Sequence, residues 1–358
     1  MEAGCTGLRP LSELLDGQID CGELRGSWIE DRSILNSRRW APGSALAIHC
    51  AKQAVADARL SGSDLKNCAV IAGSSRGNAW LGNWPGRRAI QVLAASNSMH
   101  GEIASAVTIE LGITGPWQII SSGCAASLDA LGHALMMLKC GIVDHAIVLG
   151  IELPLVPEIV GDYIKTGVLS TSGINDPYHP DTAGFFPGEA GCAIVLSNKE
   201  TQGSHPSLNG FWCNSDADSP IGMPNDGAGL RELIRSATST LGFNTPIQAI
   251  CPHASGTRLH SQAEERALLD ALQPKHPISL HPLKPFTGHT VGASGALDTA
   301  ILAHYLRQRK LPPNLALTQP PAPFTLPTEV TDATGTVLKI AVGMGGHNSL
   351  IALKPATS

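Results

Sequence analysis

The stretch Trp117-Gln118-Ile119-Ile120-Ser121-Ser122-Gly123-Cys124-Ala125-Ala126-Ser127-Leu128 sets an apolar strand against the start of an apolar-periodic helix, with a cysteine at the junction. A helix N-terminus leaves backbone N–H groups without partners and carries the positive end of the helix dipole, which favours a thiolate. Small neighbours let backbone and substrate approach the sulfur. A lone cysteine in such a place is otherwise a buried, inert core residue. The remainder of the chain decides between the two readings.

Working outward, Ser44 to Leu60 and residues 97–110 read as helices, and Asn67 to Ala72 as a buried strand. Trp117 to Ser121 reads as a strand and Ala125 to Lys139 as a helix, followed by strands His145 to Glu152 and Gly191 to Leu196. Beyond a polar, Pro- and Gly-rich connection at 197–229, which has room for a strand at Leu208 to Trp212, the theme returns. Helices are expected at 229–241, 262–272 and 291–307, with strands at 247–251, 337–343 and 348–353. Strands alternating with helices predict α/β layering with mostly parallel sheets. Each half ends on two strands, an internal duplication of elements that divides the chain into an N-terminal half, 1–200, and a C-terminal half, 201–358.

Composition narrows the function. Of 358 residues, 43% are hydrophobic and only 15% charged, enough apolar surface for a large core. A net charge of −5 without a basic stretch argues against nucleic acid or an anionic membrane surface as the ligand. Nine cysteines without a CxxC pair read as free thiols in a reducing cytosol, with Cys140 and Cys192 assigned to the core. The start Met1-Glu2-Ala3-Gly4 is not a signal peptide, and no apolar run is long enough for a membrane span. A cytoplasmic protein is expected. His260, His281 and His304 lack metal-ligand spacing, so neither a metal nor a cofactor is expected.

Three further motifs accompany Cys124. His253 follows the strand 247–251, where α/β folds place ligand-facing groups. His289 lies in Lys284-Pro285-Phe286-Thr287-Gly288-His289-Thr290-Val291-Gly292, just ahead of a helix. Gly343-Met344-Gly345-Gly346-His347-Asn348 is a turn whose N–H groups suit an oxyanion. Cys124, His253, Lys284 with His289, and the glycine turn together resemble the β-ketoacyl synthases of the thiolase superfamily, in the branch with a Cys-His-His site. The resemblance spans residues 44–354, and the order and spacing of the motifs carry it.

The resemblance implies a thiolase-like αβαβα fold and a decarboxylative Claisen condensation in fatty acid, polyketide or polyene synthesis. Cys124 would accept an acyl group, and His253 and His289 would stabilise the enolate from a malonyl thioester. The backbone N–H groups of Cys124 and Met344 would form the oxyanion hole, and the Met344 side chain would gate the acyl pocket. Lys284 and Glu264, eleven positions after His253, would support the histidines. Implied partners are acyl carrier protein or coenzyme A thioesters, and a second subunit in a homodimer or a heterodimer with a related chain. A basic patch of Arg38, Arg39, Arg87 and Arg88 could meet an acidic carrier.

The chain also departs from the family. His253-Ala254-Ser255-Gly256-Thr257 stands for the common His-Gly-Thr-x-Thr, Ser261 for an acidic residue, Met344 for phenylalanine and Gly123 for alanine. Relatives open on an apolar strand, expected in the middle of the first sheet, that residues 1–10 do not supply; the chain starts near the family's first helix, Leu11 to Leu15. Two other functions fit the same framework: a partner-dependent or non-catalytic chain-length subunit, and an acyltransferase or thioesterase. Cys124 counts against the first and the pair of histidines against the second. Gly73-Ser74-Ser75-Arg76-Gly77 matches the hydrolase nucleophile elbow, but the residues after it make a poor helix. A thiolase proper needs a second cysteine near the C-terminus, and none follows Cys251.

Overall fold

Strand alternation decides how the layers stack. Along β1 (Cys68–Gly73), Val70 and Ala72 face one way and Ala69 and Ile71 the other, yet every residue is buried. A strand apolar on both faces needs cover on both, which is the pattern of a sheet sandwiched between helices. The computed structural model describes residues 1, 3–79, 81, 84, 88–199, 205–242, 246–273 and 276–357.

The first sheet has the order β2-β1-β3-β4, from β1, β2 (Trp117–Ile120), β3 (His145–Glu152) and β4 (Ala190–Ser197). β1 runs parallel to β2 and β3, and β4 antiparallel to β3. The second sheet has the order β8-β7-β6-β9-β10-β5. Its strands are β5 (Ser207–Ser215), β6 (Ile247–Cys251), β7 (Ile278–Leu280), β8 (Phe324–Thr325), β9 (Thr336–Gly343) and β10 (His347–Lys354). β6, β7 and β9 pair in parallel, and β10 lies antiparallel to both β9 and β5. Each half thus has a parallel core closed by an antiparallel last strand, so the duplication holds in space.

Helices α1 (Pro42–Asp57) and α2 (Glu102–Leu111) cover the outer face of the first sheet through Leu46, Ile103 and Val107. α3 (Ala126–Lys139), α4 (Pro157–Thr166), α5 (Ala228–Leu241), α6 (Arg258–Leu272) and α7 (Ser294–Arg307) complete the main helices. α5 and α6 cover the second sheet through Leu230, Ile234 and Ala267. α3 and α7 fill the middle, where Leu128, Leu131 and Leu302 meet Ile71, Val148 and Ile351 of the two sheets. The result is the five-layer αβαβα arrangement.

The middle layer is held by close backbone approach. A Cβ on Gly295 of α7 would lie 2.4 Å from the Leu128 nitrogen of α3, and one on Gly132 would lie 2.2 Å from the Phe211 ring. Ser127 Oγ accepts from the Ala296 N–H at 2.9 Å across the same seam.

Three readings need correction. A missing first strand was expected to gap the middle of the first sheet, yet β2-β1-β3-β4 is continuous. Its counterpart in the second half, β5, lies at the outer edge beside β10, so that position is peripheral. Cys140 is exposed, because it caps the C-terminus of α3 after the buried face has ended; Cys192 is buried. α4 was not anticipated, although Pro157 opens it, Gly167 at φ +66° closes it, and Ile159, Val160 and Tyr163 form its buried side.

Replacing Gly295 by alanine forces a methyl group into the α3 backbone and separates the middle helices. Urea unfolding of Gly295→Ala is expected to show a loss of roughly 1–3 kcal/mol, the ordinary cost of overpacking.

Candidate active site

Gly123 adopts φ +59° and enters a single 3₁₀ turn, Gly123–Ala125, which runs directly into α3. That left-handed conformation favours glycine and accounts for its presence where relatives commonly carry alanine. Cys124 is thereby set at the start of the helix, almost fully buried. The glycine turn after β9 lies against it: a Cβ on Gly343 would come within 2.5 Å of the Ser122 carbonyl oxygen. The Met344 N–H donates to the Cys124 sulfur, while the Met344 side chain is 46% exposed.

His253 follows β6, and the end of β9 reaches it as well. The Val342 N–H donates to His253 Nδ1 at 3.3 Å. That acceptor role leaves the proton on Nε2, which becomes a donor facing away from β9. Glu264 of α6 accepts from the His253 and Ala254 N–H groups at 2.6 and 2.8 Å. Lys284 Nζ donates to the His253 carbonyl oxygen from the opposite side. The ring of His289 stands 5.3 Å from that of His253, nearly perpendicular to it at 86°, and its Nδ1 lies 3.2 Å from Ser294 Oγ. One strand end therefore touches both the sulfur and a histidine, and the second histidine adjoins the first. All six sequence-nominated residues lie around this point.

Electrostatics follow from burial. Burial pushes the Cys124 thiol up to about 11, against the pull of Lys284, with Glu152 adding to the rise. The expected thiolate preference of the helix terminus is thus outweighed by desolvation in the unliganded site. His253 and His289 are driven well below the ordinary imidazole range, first by burial and then by the Lys284 charge. Burial opposes the Glu264 charge, but His260 and the two N–H donors hold its carboxyl below the usual range. The site at neutral pH is a thiol and two neutral imidazoles, framed by an ionised Glu264 and by Lys284, whose pKa burial and the Lys339 charge draw below its ordinary range.

This constellation has counterparts among known proteins. Residues 30–202 match the β-ketoacyl synthase N-terminal domain and residues 205–318 the β-ketoacyl synthase C-terminal domain. The chain belongs to the β-ketoacyl synthase family. It is 28% identical over 269 residues to the tetracenomycin polyketide synthase ketoacyl synthase alpha subunit of Streptomyces glaucescens, covering 70% of this chain and 63% of that one. It is also 28% identical over 283 residues to 3-oxoacyl-[acyl-carrier-protein] synthase 2 of Mycobacterium leprae, covering 75% of this chain and 67% of that one. The chain thus spans slightly under two thirds of the first of these relatives. The ketosynthase from module 6 of the Bacillus subtilis bacillaene synthase shares the fold, with a TM-score of 0.84 and 20% identity over 99% of this chain and 68% of that one.

Several residues of this β-ketoacyl synthase site escaped the sequence reading. Glu152 ends β3 fully buried, and its carboxylate accepts from the N–H groups of Ser75, Arg76 and Gly292 at 2.6, 3.2 and 3.1 Å. It ties the loop after β1 to the turn before α7, and a lone carboxylate ending an apolar strand was the available signal. Arg76 packs against Tyr163 and donates to its hydroxyl at 2.9 Å. Asp129 of α3 accepts from Ser122 Oγ and lies 2.7 Å from His347 Nε2, linking the nucleophile loop to the glycine turn. His347 is raised above its ordinary pKa by that bond.

The alternatives fare differently. No helix begins within residues 74–79 after the elbow-like motif, and the Ser75 N–H is held by Glu152. No group of metal ligands occurs among the described residues, and none of their helices is long and apolar enough to cross a membrane. Of the basic patch, Arg38 and Arg88 are exposed and Arg39 pairs with Glu110 at 3.1 Å; Arg87 lies outside the described residues.

Burial pushes the Glu152 carboxyl from 4.5 up to about 7, so the folded protein keeps a proton that the unfolded chain loses. The stability this gives is full below about pH 4.5 and is lost as the pH rises through about 7. Glu152→Gln does not titrate and is expected to flatten that slope. Urea midpoints across this range check it: the wild-type advantage should shrink by on the order of 3 kcal/mol.

Proposed function

We propose that the chain catalyses β-ketoacyl synthesis: it takes an acyl group from a thioester onto Cys124 and extends it with a malonyl thioester. The observation that carries this is the end of β9, where Met344 N–H donates to the sulfur and Val342 N–H fixes His253 as an Nε2–H donor. A transferase acting through a single base would have no use for a second buried neutral imidazole beside the first.

In the first half-reaction the Cys124 sulfur attacks the thioester carbonyl. The oxyanion rests on the N–H groups of Cys124 and Met344, and the carrier thiol departs with the proton released by Cys124. In the second, the bond from the malonyl methylene to its carboxylate breaks and carbon dioxide leaves. The electron pair passes into an enolate whose oxygen is held by the imidazole N–H groups of His253 and His289. The enolate carbon then attacks the acyl-Cys124 carbonyl, the C–S bond breaks, and the thiolate takes a proton from solvent. Neutral imidazoles suit this step, because an imidazolium would protonate the carbanion before it condensed. Lys284 and Glu264 hold His253 by its carbonyl and N–H, and the exposed Met344 side chain covers the acyl pocket.

We place the chain in the cytoplasm, divided near residue 200, with an acyl carrier protein as the donor partner. A solved relative supports that partner: a type II polyketide acyl-carrier protein in complex with its ketosynthase bound to a hexaketide has a TM-score of 0.75 and 23% identity, covering 92% of this chain and 86% of that one. A second subunit, identical or related, would pair with the free edge of β2, where Trp117 is 42% exposed.

Intact-protein mass spectrometry after incubation with acyl-carrier thioesters tests the nucleophile. Wild type should gain the acyl mass and Cys124→Ala should not; acylation of the variant would overturn the assignment. His253→Ala should still acylate but release carbon dioxide from malonyl thioester roughly 10²–10³-fold more slowly, the loss carried by one oxyanion donor, whereas His289→Ala should be slowed in both half-reactions.

A further inference from the structure

β9 reads Thr336-Val337-Leu338-Lys339-Ile340-Ala341-Val342-Gly343, and alternation turns Val337, Lys339 and Ala341 to the middle layer. Lys339 is therefore an ammonium at a position whose neighbours on the strand are apolar, and it is completely buried. It stands in register with Cys251 of β6, two residues before His253. Its Nζ lies 2.5 Å from Asp298 Oδ2 on α7, and Asp298 is also buried. Lys284 Nζ lies 3.9 Å from the same carboxylate oxygen but donates to the His253 carbonyl instead. Two buried ammonium groups thus compete for one carboxylate, and Lys339 holds it.

We propose that Lys339 is a positioning residue for the two histidines: its ammonium holds the Asp298 carboxylate and so leaves Lys284 to fix the His253 carbonyl. The proposal rests on the enolate-binding role given to His253 and His289 above. Buried charges need close partners, so a carboxylate deprived of Lys339 turns to the next cation. That cation is Lys284, and the turn removes a donor from the His253 loop.

The charge also matters beyond the pair. His253 is faced by Lys284, Lys339, His260 and His289, with Glu264 bonded to its N–H; His289 is faced by Lys284, Lys339 and His260. Lys339 itself is faced by Asp298, Cys251 and Glu264, and Asp298 keeps it ionised despite its burial. Removing one cation from this group while the Asp298 carboxylate remains makes protonation of both imidazoles easier. An imidazolium at His253 carries a proton on Nδ1, which opposes the Val342 N–H, so the donor geometry at Nε2 is lost with the neutral state.

The test compares wild type, Lys339→Met and the double variant Asp298→Asn with Lys339→Met. Histidine ¹⁵N shifts are followed over about pH 5–8, the range in which imidazoles ordinarily titrate. Carbon dioxide release from malonyl thioester is followed over the same range. In Lys339→Met, His253 and His289 should titrate at higher pH, and the acid limb of carbon dioxide release should move up by about one unit, roughly tenfold in rate on that limb. Above that limb, where both imidazoles are neutral, acylation of Cys124 should stay within about twofold, since the oxyanion donors are untouched. The double variant, which removes the unpaired carboxylate, should recover the wild-type titration and pH limb.

Unchanged histidine titrations in folded Lys339→Met would overturn the proposal, as would a double variant no better than the single one. Where Lys339→Met does not fold, Lys339→Gln tests the charge alone: its amide can still bond Asp298, the histidine titrations should again move to higher pH, and unchanged titrations would overturn the proposal. Absence of carbon dioxide release by wild type would count against the condensing reaction, while the ¹⁵N titrations would still decide the part played by Lys339.

Discussion

The close approach of the two middle helices is the constraint on which the site depends. Cys124 stands at the start of α3 and His289 just ahead of α7, and these belong to different halves of the chain. Only because Gly295 lets α7 touch the Leu128 backbone, with Ser127 bonded to Ala296, do the two helix starts fall together. The end of β9 then closes the gap from the second sheet, one N–H on the sulfur and another on His253. Duplicated halves alone would supply a nucleophile and histidines; the seam makes them neighbours.

A seam at the centre of five layers is buried, and burial sets the chemistry. It raises the Cys124 thiol and lowers both imidazoles, so each reacting group rests uncharged. The charges that remain are placed one step behind: Lys284 and Glu264 on the His253 backbone and Lys339 on Asp298, with the Glu152 carboxyl, raised to about 7, on the loops beside Cys124. Ions so placed act through position, since each is held by a partner.

Much of this was legible in the sequence. The long periodic segments gave α1, α3, α5 and α7, and with them β1 to β4, β6, β9 and β10, to within a few residues, because their patterns reflect burial on one face or two; the three-residue β7 is too short to carry a pattern and was not read. The Cys124, His253, His289 and glycine-turn motifs were legible because turn glycines and polar residues at strand ends stand out against apolar runs. What stayed hidden were pairings between distant segments. Lys339 with Asp298, Asp129 with His347, and Glu152 with Ser75 and Gly292 are single polar residues inside apolar elements, and their partners lie far along the chain. Burial of Cys124 was hidden for the same reason, since the layers that dehydrate it come from both halves. That a first strand belongs at a sheet edge became legible only through the placement of β5 in the second sheet.

How a thiol near 11 serves as a nucleophile follows from the same frame. At pH 7 such a group is a thiolate in only about one molecule in 10⁴, so the proton must pass to a neighbour as the sulfur attacks. His253 is unsuited to take it, because Val342 N–H occupies its Nδ1 lone pair and its Nε2 already bears a proton. His289 has no backbone donor on its ring; its Nδ1 meets the Ser294 hydroxyl, which can accept as readily as donate. With Ser294 accepting, the Nε2 lone pair of His289 is open to the thiol proton. In the proposed reaction that same proton leaves with the carrier thiol; His289 then regains the Nε2–H form that the enolate requires by taking a proton from solvent at Nε2 and releasing the one at Nδ1, while the Ser294 hydroxyl turns to donate. The asymmetry between the two histidines, one locked by the backbone and one by a rotatable hydroxyl, thus divides the work between a fixed donor and a proton carrier.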